Sequence, residues 1–164
     1  MKVIKMNNFD KYFLVEECYF DVRVQDFAEL IAKFSQIFIT KGYVNVDWAQ
    51  SMLTREKNYP TGLDMGAHCI AIPHTYSEFV QTSLIVPVVL QQKIPFVHMG
   101  SQENIIDVEV IFFLLIKEPH QQVDVLAKIL NLCSQKNFIT ELKTAKTQTT
   151  MYETVLRNLN NGGI

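Results

Sequence analysis

The sequence predicts an α/β fold, a three-layer α/β/α sandwich around a mixed β-sheet. Residues 110–116 read VIFFLLI and are apolar at every position, which is typical of a central strand covered by helices on both faces. Segments with helical spacing lie both before and after a group of strand-like segments. Helices are therefore available to cover both faces of one sheet.

Two helices are predicted in the first third of the chain. In residues 25–41 the apolar side chains recur at helical spacing, and Gly42 follows as a stop signal. The second helix is expected to begin at Asn45, a good N-cap residue, and to end near Lys57. Its predicted buried stripe consists of Val46, Ala49, Met52 and Leu53. Residues 59–62, YPTG, predict a turn.

The strands are predicted in the middle of the chain. They cover residues 68–73, 83–90, 96–99 and 109–117, with an earlier strand at about 14–20. Pro87 has no N–H to donate, so the strand that holds it is expected to be bulged or at a sheet edge. Three more helices follow: one that begins near Pro119, a short one around residues 138–142 and a terminal one around 151–159.

Length and composition limit the class of protein. The 164 residues, 48% of them hydrophobic, predict one domain over residues 1–164, with a core at about 14–159 and a frayed tail at 160–164. The net charge of −2 is spread along the chain, which argues against nucleic acid or an anionic membrane as the main partner. No apolar run is long enough to cross a bilayer, and residues 1–5 lack a signal-peptide pattern. We expect a cytoplasmic protein.

The sequence predicts neither a metal nor another cofactor. Its cysteines, Cys18, Cys69 and Cys133, are odd in number and widely spaced, as in proteins with reduced thiols and no zinc site. Cys69 is expected in the core. The glycine-rich motifs that bind nucleotides are absent from the sequence.

The most informative segment is IAIPHT, residues 70–75. It predicts a short apolar strand that stops at Pro73 and presents His74 at its carboxyl end, where open α/β sheets bind ligands. The fixed φ of proline stiffens the approach to the imidazole. A turn histidine without a function is the alternative at this point.

Two further side chains are candidates for the same site. His120 is expected at a helix N-terminus, where N–H groups attract anions and a neutral imidazole can donate to an oxyanion. Arg55 is expected near the end of the second helix, and the turn after it leads towards His74. A guanidinium binds a phosphoryl group through two parallel hydrogen bonds. Each also has a simple structural explanation, His120 as a capping residue and Arg55 as a favourable charge at a helix end.

These motifs, taken in order, resemble a known family. TRE at 54–56, PTGL at 60–63, IAIPHT at 70–75 and PFVHMG at 95–100 resemble the enzyme IIA domains of the bacterial sugar phosphotransferase system. Within it, they are similar to the fructose–mannitol superfamily and its galactitol-type branch. The resemblance covers about residues 14–159.

The resemblance implies a phosphotransferase that works without a cofactor. Such domains accept a phosphoryl group on a histidine from the phosphocarrier HPr and pass it to a IIB component, which serves a membrane IIC component. The acceptor corresponds to His74, the helper histidine to His120 and the helper arginine to Arg55. An ordinary imidazole nucleophile would lose activity below about pH 6.5.

The biological role and the docking surface are the last two points that the sequence addresses. The same domain also occurs as a regulatory module in nitrogen-related phosphorelays and in antiterminators, so a regulatory role is the alternative to transport. A rim of apolar residues such as Ile72, Phe79 and Met99 is expected to dock the partners.

Overall fold

A five-stranded mixed sheet lies between two layers of helices in the computed structural model, which describes residues 8–161. The strands are β1 (Tyr19–Val22), β2 (Gly62–Asp64), β3 (Cys69–Ala71), β4 (Leu84–Val97) and β5 (Ile105–Leu115). The helices are α1 (Phe27–Thr40), α2 (Trp48–Asn58), α3 (Gln122–Ser134), α4 (Phe138–Thr144) and α5 (Gln148–Asn161). The predicted three-layer α/β/α sandwich is confirmed.

The sheet has the strand order β1-β4-β5-β3-β2. Strand β5 is parallel to β3 and antiparallel to β4, and the outer pairs are parallel for β1–β4 and antiparallel for β2–β3. The all-apolar segment is thus in the central strand, as predicted. Its alternate side chains enter two separate cores: Phe112 packs with α3, α4 and α5, whereas Phe113 packs with α1 and α2.

The start of the second helix differs from the prediction. Asn45 is not the N-cap, because its side-chain oxygen accepts a hydrogen bond from the backbone N–H of Asp47 in a turn before the helix. Asp47 occupies the cap position, and α2 begins at Trp48, which is fully buried. Val46 therefore lies outside the helix and is 74% exposed rather than buried.

The strands also differ from the prediction in extent. The two strands expected at 83–90 and 96–99 are one strand, β4, whose pairing with β5 shifts register between Val89 and Ile94. The strand that holds Pro87 is bulged, which is one of the two predicted possibilities. The register shift lies beyond Pro87, and the strand is internal rather than at a sheet edge. β2 is not among the predicted strands, because YPTG at 59–62 predicts only a turn.

The predictions for the cysteines and the chain ends can be compared with the burial of the side chains and with the residues that the structure describes. Cys18 and Cys133 are buried, but Cys69 at the start of β3 is only half-buried. α5 extends to Asn161, so the predicted frayed tail is helical at its first two residues. Residues 162–164 of that tail and the N-terminal segment 1–5 lie outside the described residues. None of the helices in residues 8–161 is long and apolar enough to span a bilayer.

Candidate active site

His74 lies just beyond the carboxyl end of β3, as the sequence predicts. The chain leaves the strand through the buried Pro73, whose carbonyl oxygen accepts a hydrogen bond from the N–H of Leu114 in β5 at 3.2 Å. His74 itself forms an isolated parallel bridge with Leu114. The central strand therefore fixes the backbone on which the half-buried imidazole is carried.

The ring of His74 is held in one tautomer. Its Nδ1 atom lies 2.8 Å from the carbonyl oxygen of Ile72, and because a carbonyl can only accept, Nδ1 carries the proton. In the neutral ring Nε2 then holds the free lone pair. Burial lowers the pKa of His74 and the nearby charge of Arg55 lowers it further, although the bond to Ile72 opposes them. The imidazole is consequently neutral at pH 7.

Arg55 is the charged side chain that shares this site. It belongs to the last turn of α2 and lines the same 300 Å³ pocket as His74. Its guanidinium carbon lies 4.3 Å from the ring centre of Tyr59, and its Nη1 donates a hydrogen bond to the hydroxyl of Tyr76 at 3.2 Å. The structure thus brings together two of the three predicted site residues.

The pocket around His74 is partly apolar and open to one side. Its lining residues are Arg55, Asn58, Tyr59, Pro60, Thr61, His74, Met99, Gln102 and Leu126. A second pocket of 380 Å³ shares Arg55, Asn58 and Tyr59 with the first and is also bordered by Tyr76 and Phe79. Arg55 therefore lines two adjoining depressions.

His120 is not among the residues that line either depression. It lies exposed on a short 3₁₀ turn, Pro119–Gln121, which leads into α3. The start of α3 nevertheless approaches the site, because the side chain of Gln122 donates a hydrogen bond to the carbonyl oxygen of Thr75 at 3.2 Å. The helix start was predicted correctly, whereas the donor role of His120 stays a prediction.

The hydroxyls after His74 support its loop. Thr75 is buried, and its hydroxyl is hydrogen-bonded to that of Ser51 in α2. Ser77 begins a 3₁₀ turn, Ser77–Phe79. Ile72, which was expected on an apolar docking rim, is fully buried because it faces the core, so it has no part in such a rim; Met99 is 39% exposed.

A half-buried carboxylate, Glu56, binds Thr61 in the lining of the pocket. Glu56 accepts hydrogen bonds from the backbone N–H of Thr61 at 2.8 Å and from its hydroxyl at 2.9 and 3.1 Å. Burial raises the pKa of Glu56 to about 7, against the effect of the Thr61 bonds and the Arg55 charge. Thr61 in turn accepts a hydrogen bond from the N–H of Ile72 at 3.4 Å. The turn and the histidine strand are thereby joined.

Some residues of the site were not predicted from the sequence. Tyr59 follows Arg55 by four positions, a spacing that places side chains on one helix face, so this contact could have been found. Tyr76 and Gln122 could not, because their contacts join segments that are 21 and 47 positions apart. The sequence singles out Glu56 only as part of the TRE motif at 54–56.

The site combines a neutral imidazole that has a free nitrogen with a guanidinium that lines the same pocket. This combination is typical of a phosphoryl-transfer protein, because such reactions depend on positioning and charge stabilisation. The sequence profile of the family described as "Phosphoenolpyruvate-dependent sugar phosphotransferase system, EIIA 2" matches residues 11–158. The chain belongs to this family and is a IIA component of that phosphoryl-transfer system.

Individual relatives agree with this assignment. The chain is 28% identical over 119 residues to the "PTS system galactitol-specific EIIA component" of Escherichia coli, a match that covers 73% of this chain and 79% of that protein. It is also 28% identical over 116 residues to the "Transcriptional regulator ManR" of Bacillus subtilis, covering 70% of this chain but 16% of the regulator. The fold matches the Escherichia coli complex of enzyme IIAMTL with phosphorylated enzyme IIBMTL at a TM-score of 0.70 and 19% identity, covering 88% of this chain and 97% of that one.

Proposed function

We propose that His74 is the phosphoryl acceptor of this IIA component, with Nε2 as the nucleophile. The observation that carries the proposal is the bond from Nδ1 to the Ile72 carbonyl, which leaves a neutral Nε2 with a lone pair beside Arg55. In the reaction, Nε2 forms a bond to phosphorus while the bond from phosphorus to the donor's histidine breaks. The Arg55 guanidinium stabilises the equatorial oxygens of the transferred group.

His120 enters the proposal as a second donor to the phosphoryl oxygens. It lies two residues before Gln122, whose side chain contacts the segment that follows His74. Its exposed ring would have to turn towards the pocket to act. It is therefore less well organised for catalysis than Arg55, which is already in the lining.

The proposed partners are phosphorylated HPr as donor and a IIB component as acceptor. The chain would serve a membrane IIC component indirectly, and the reaction would take place in the cytoplasm. The family assignment supports the donor, and the complex of the related mannitol proteins supports the acceptor. Both partners must reach the same nitrogen in turn. A half-buried imidazole in a pocket open to one side satisfies this requirement.

The test is phosphorylation of the purified chain with phosphoenolpyruvate, enzyme I and HPr, followed by mass spectrometry of peptides kept at alkaline pH. The expected result is one phosphoryl group on His74, no modification of His74→Ala, and normal modification of His68→Gln. The last variant is a matched control, because His68 lies before β3, at the opposite edge of the sheet. A phosphorylated His74→Ala protein would overturn the proposal.

We further propose that the chain serves a galactitol-like sugar or polyol. The galactitol-specific relative in Escherichia coli supports this choice. Because a IIA component does not contact the sugar, its branch is defined by the IIB component to which it passes the phosphoryl group. Transfer from the phosphorylated chain should therefore be faster to a galactitol-type IIB than to a mannitol-type IIB, and the reverse order would assign another branch.

A regulatory role is the second candidate function. The match to a transcriptional regulator supports it: a segment that makes up 16% of that protein is similar to this chain. In this case phosphorylation of His74 would change the choice of a partner rather than feed a IIB component. Loss of sugar uptake in a strain that carries the chromosomal His74→Ala change favours transport, whereas intact uptake with altered transcription favours regulation.

A further inference from the structure

Arg55 is held at the site in an unusual way. Arginines beside a reacting group are commonly fixed by a carboxylate, yet within residues 8–161 no ion pair is formed by Arg55. Its contacts are instead with two tyrosines, Tyr59 after α2 and Tyr76 in the loop after His74. Tyr59 lines both depressions together with Arg55, whereas Tyr76 lines only the second.

The two tyrosines hold the guanidinium by different means. Tyr59 presents its ring face at 4.3 Å from the guanidinium carbon, which is within the range of a cation–π contact. Tyr76 accepts a hydrogen bond from Nη1 through its hydroxyl at 3.2 Å, and its ring centre lies farther away, at 5.2 Å. One tyrosine therefore fixes the plane of the guanidinium and the other fixes its edge.

This arrangement leaves the guanidinium able to bind an anion. A carboxylate partner would neutralise the positive charge and compete with phosphoryl oxygens for the same N–H groups. An aromatic face attracts the cation without a formal negative charge. Moreover, the Nε atom of Arg55 is buried and has no hydrogen-bond partner among the described residues, which shows that the protein does not use all of this donor group.

We propose that Tyr59 and Tyr76 are positioning residues that hold Arg55 beside His74 while leaving its charge available for the phosphoryl group. The inference rests on the proposed function and adds to it the means by which Arg55 is placed. Neither tyrosine acts on the phosphoryl group itself. Each acts through Arg55.

The test compares Tyr59→Leu, Tyr76→Phe and Arg55→Leu in two measurements. The first is the single-turnover rate of transfer from phosphorylated HPr. The second is the titration of the His74 ring followed by NMR, which needs no phosphoryl donor. Tyr152→Leu is the matched control, because Tyr152 is a half-buried tyrosine on α5, which packs on the other side of the sheet.

The expected result for Tyr59→Leu is a rate lower by roughly two- to fivefold, the scale of one cation–π contact at an exposed site. Its His74 pKa should rise in the same direction as in Arg55→Leu, because the guanidinium no longer stays near the ring. Tyr76→Phe keeps the aromatic ring, so it should give smaller effects of the same sign. Tyr152→Leu should change neither quantity.

A double variant separates positioning from a direct role. If Tyr59 acts through Arg55, its removal has little further effect once Arg55 is already leucine, so the two losses are not additive. Additive losses, or a Tyr59→Leu protein with the wild-type rate and His74 titration, would overturn the inference. If Tyr59→Leu does not fold, Tyr76→Phe decides by the same two measurements. A wild-type chain that accepts no phosphate would instead refute the proposed function, and the titration would still decide how Arg55 is held.

Discussion

The Nδ1 atom of His74 lies 2.8 Å from the carbonyl oxygen of Ile72, two residues earlier in the chain. This single bond selects the tautomer of the ring and so determines which nitrogen can attack phosphorus. We predict that the phosphorylated protein carries its phosphoryl group on Nε2. Long-range ¹H–¹⁵N spectra of the ring distinguish the two isomers, and a signal pattern of an Nδ1 adduct would contradict the assignment.

The pH dependence of the acceptor should differ from that of an ordinary imidazole. The sequence suggested a loss of activity below about pH 6.5, but burial and the Arg55 charge lower the pKa of His74 below 6.5. The neutral, nucleophilic form therefore persists to lower pH than expected. In an NMR titration the His74 ring should become protonated only below pH 6.5. A midpoint at or above that value would show that the site does not favour the neutral ring.

The helper residues should contribute unequally. Replacing Arg55 by leucine should slow transfer by roughly 100-fold, because a preorganised donor beside the transferred group is lost. His120→Ala should cost only about tenfold, since the ring lies outside the pocket lining and must be ordered before it can donate. Single-turnover rates measure both variants, and far-ultraviolet circular dichroism checks their folding. An unchanged rate in His120→Ala would remove this residue from the mechanism.

The sequence predicted those parts of the site that depend on local pattern. An apolar strand that ends at a proline predicts from local pattern that His74 follows the end of a strand, and the all-apolar segment identifies β5 as central. The contact between Arg55 and Tyr76 was not predictable in this way, because it requires the loop after β3 to fold back over α2. The same holds for β2, three residues long, which exists through its pairing with β3.

Errors in the prediction arose where a local signal was overridden by a distant partner. Asn45 has the chemistry of an N-cap, but its backbone N–H is bound to the carbonyl oxygen of Phe79, which fixes it in a turn before the helix. Separate strands were predicted at 83–90 and 96–99, and the residues between them include the polar segment 91–93. Residues 91–93 are exposed on one continuous strand at the point where its register shifts.

Gly62 should be sensitive to substitution for a reason of packing. A Cβ at this position would lie 2.7 Å from the carbonyl oxygen of Val97, where β2 runs against the end of β4. The carbonyl oxygen of Gly62 also accepts a hydrogen bond from the N–H of Met99, a residue of the His74 pocket, at 2.7 Å. Gly62→Ala should therefore lower the free energy of unfolding by about 1–3 kcal/mol and slow phosphoryl transfer.

Urea denaturation measures the loss of unfolding free energy in Gly62→Ala. The variant Gly100→Ala is the control. A Cβ at Gly100 would meet the side chain of His98 at 3.2 Å rather than a backbone atom, so the contact can relax. We expect a clearly smaller effect for Gly100→Ala. Equal effects for both glycines would mean that the close approach of β2 and β4 does not limit stability.

Glu56 should make stability depend on pH in the direction opposite to that of an ion-paired acid. Burial raises its pKa to about 7 in the folded chain, from 4.5. The folded state then binds more protons than the unfolded state between these values, so the free energy of unfolding falls as the pH rises from about 4.5 to 7. The full decrease in the free energy of unfolding, about 3 kcal/mol, is reached above pH 7.

The variant Glu56→Gln isolates this contribution, because a glutamine does not titrate and still offers an oxygen to Thr61. The difference in unfolding free energy between the variant and the wild-type chain should shift in favour of the variant as the pH is raised from 5 to 8. Other titrating groups cancel in that difference. Glu103→Gln, which removes an exposed carboxylate, controls for the loss of charge. A difference that stays constant over this pH range would show that Glu56 ionises like an ordinary surface carboxylate. The carboxyl group that binds Thr61 would then carry no proton near neutral pH.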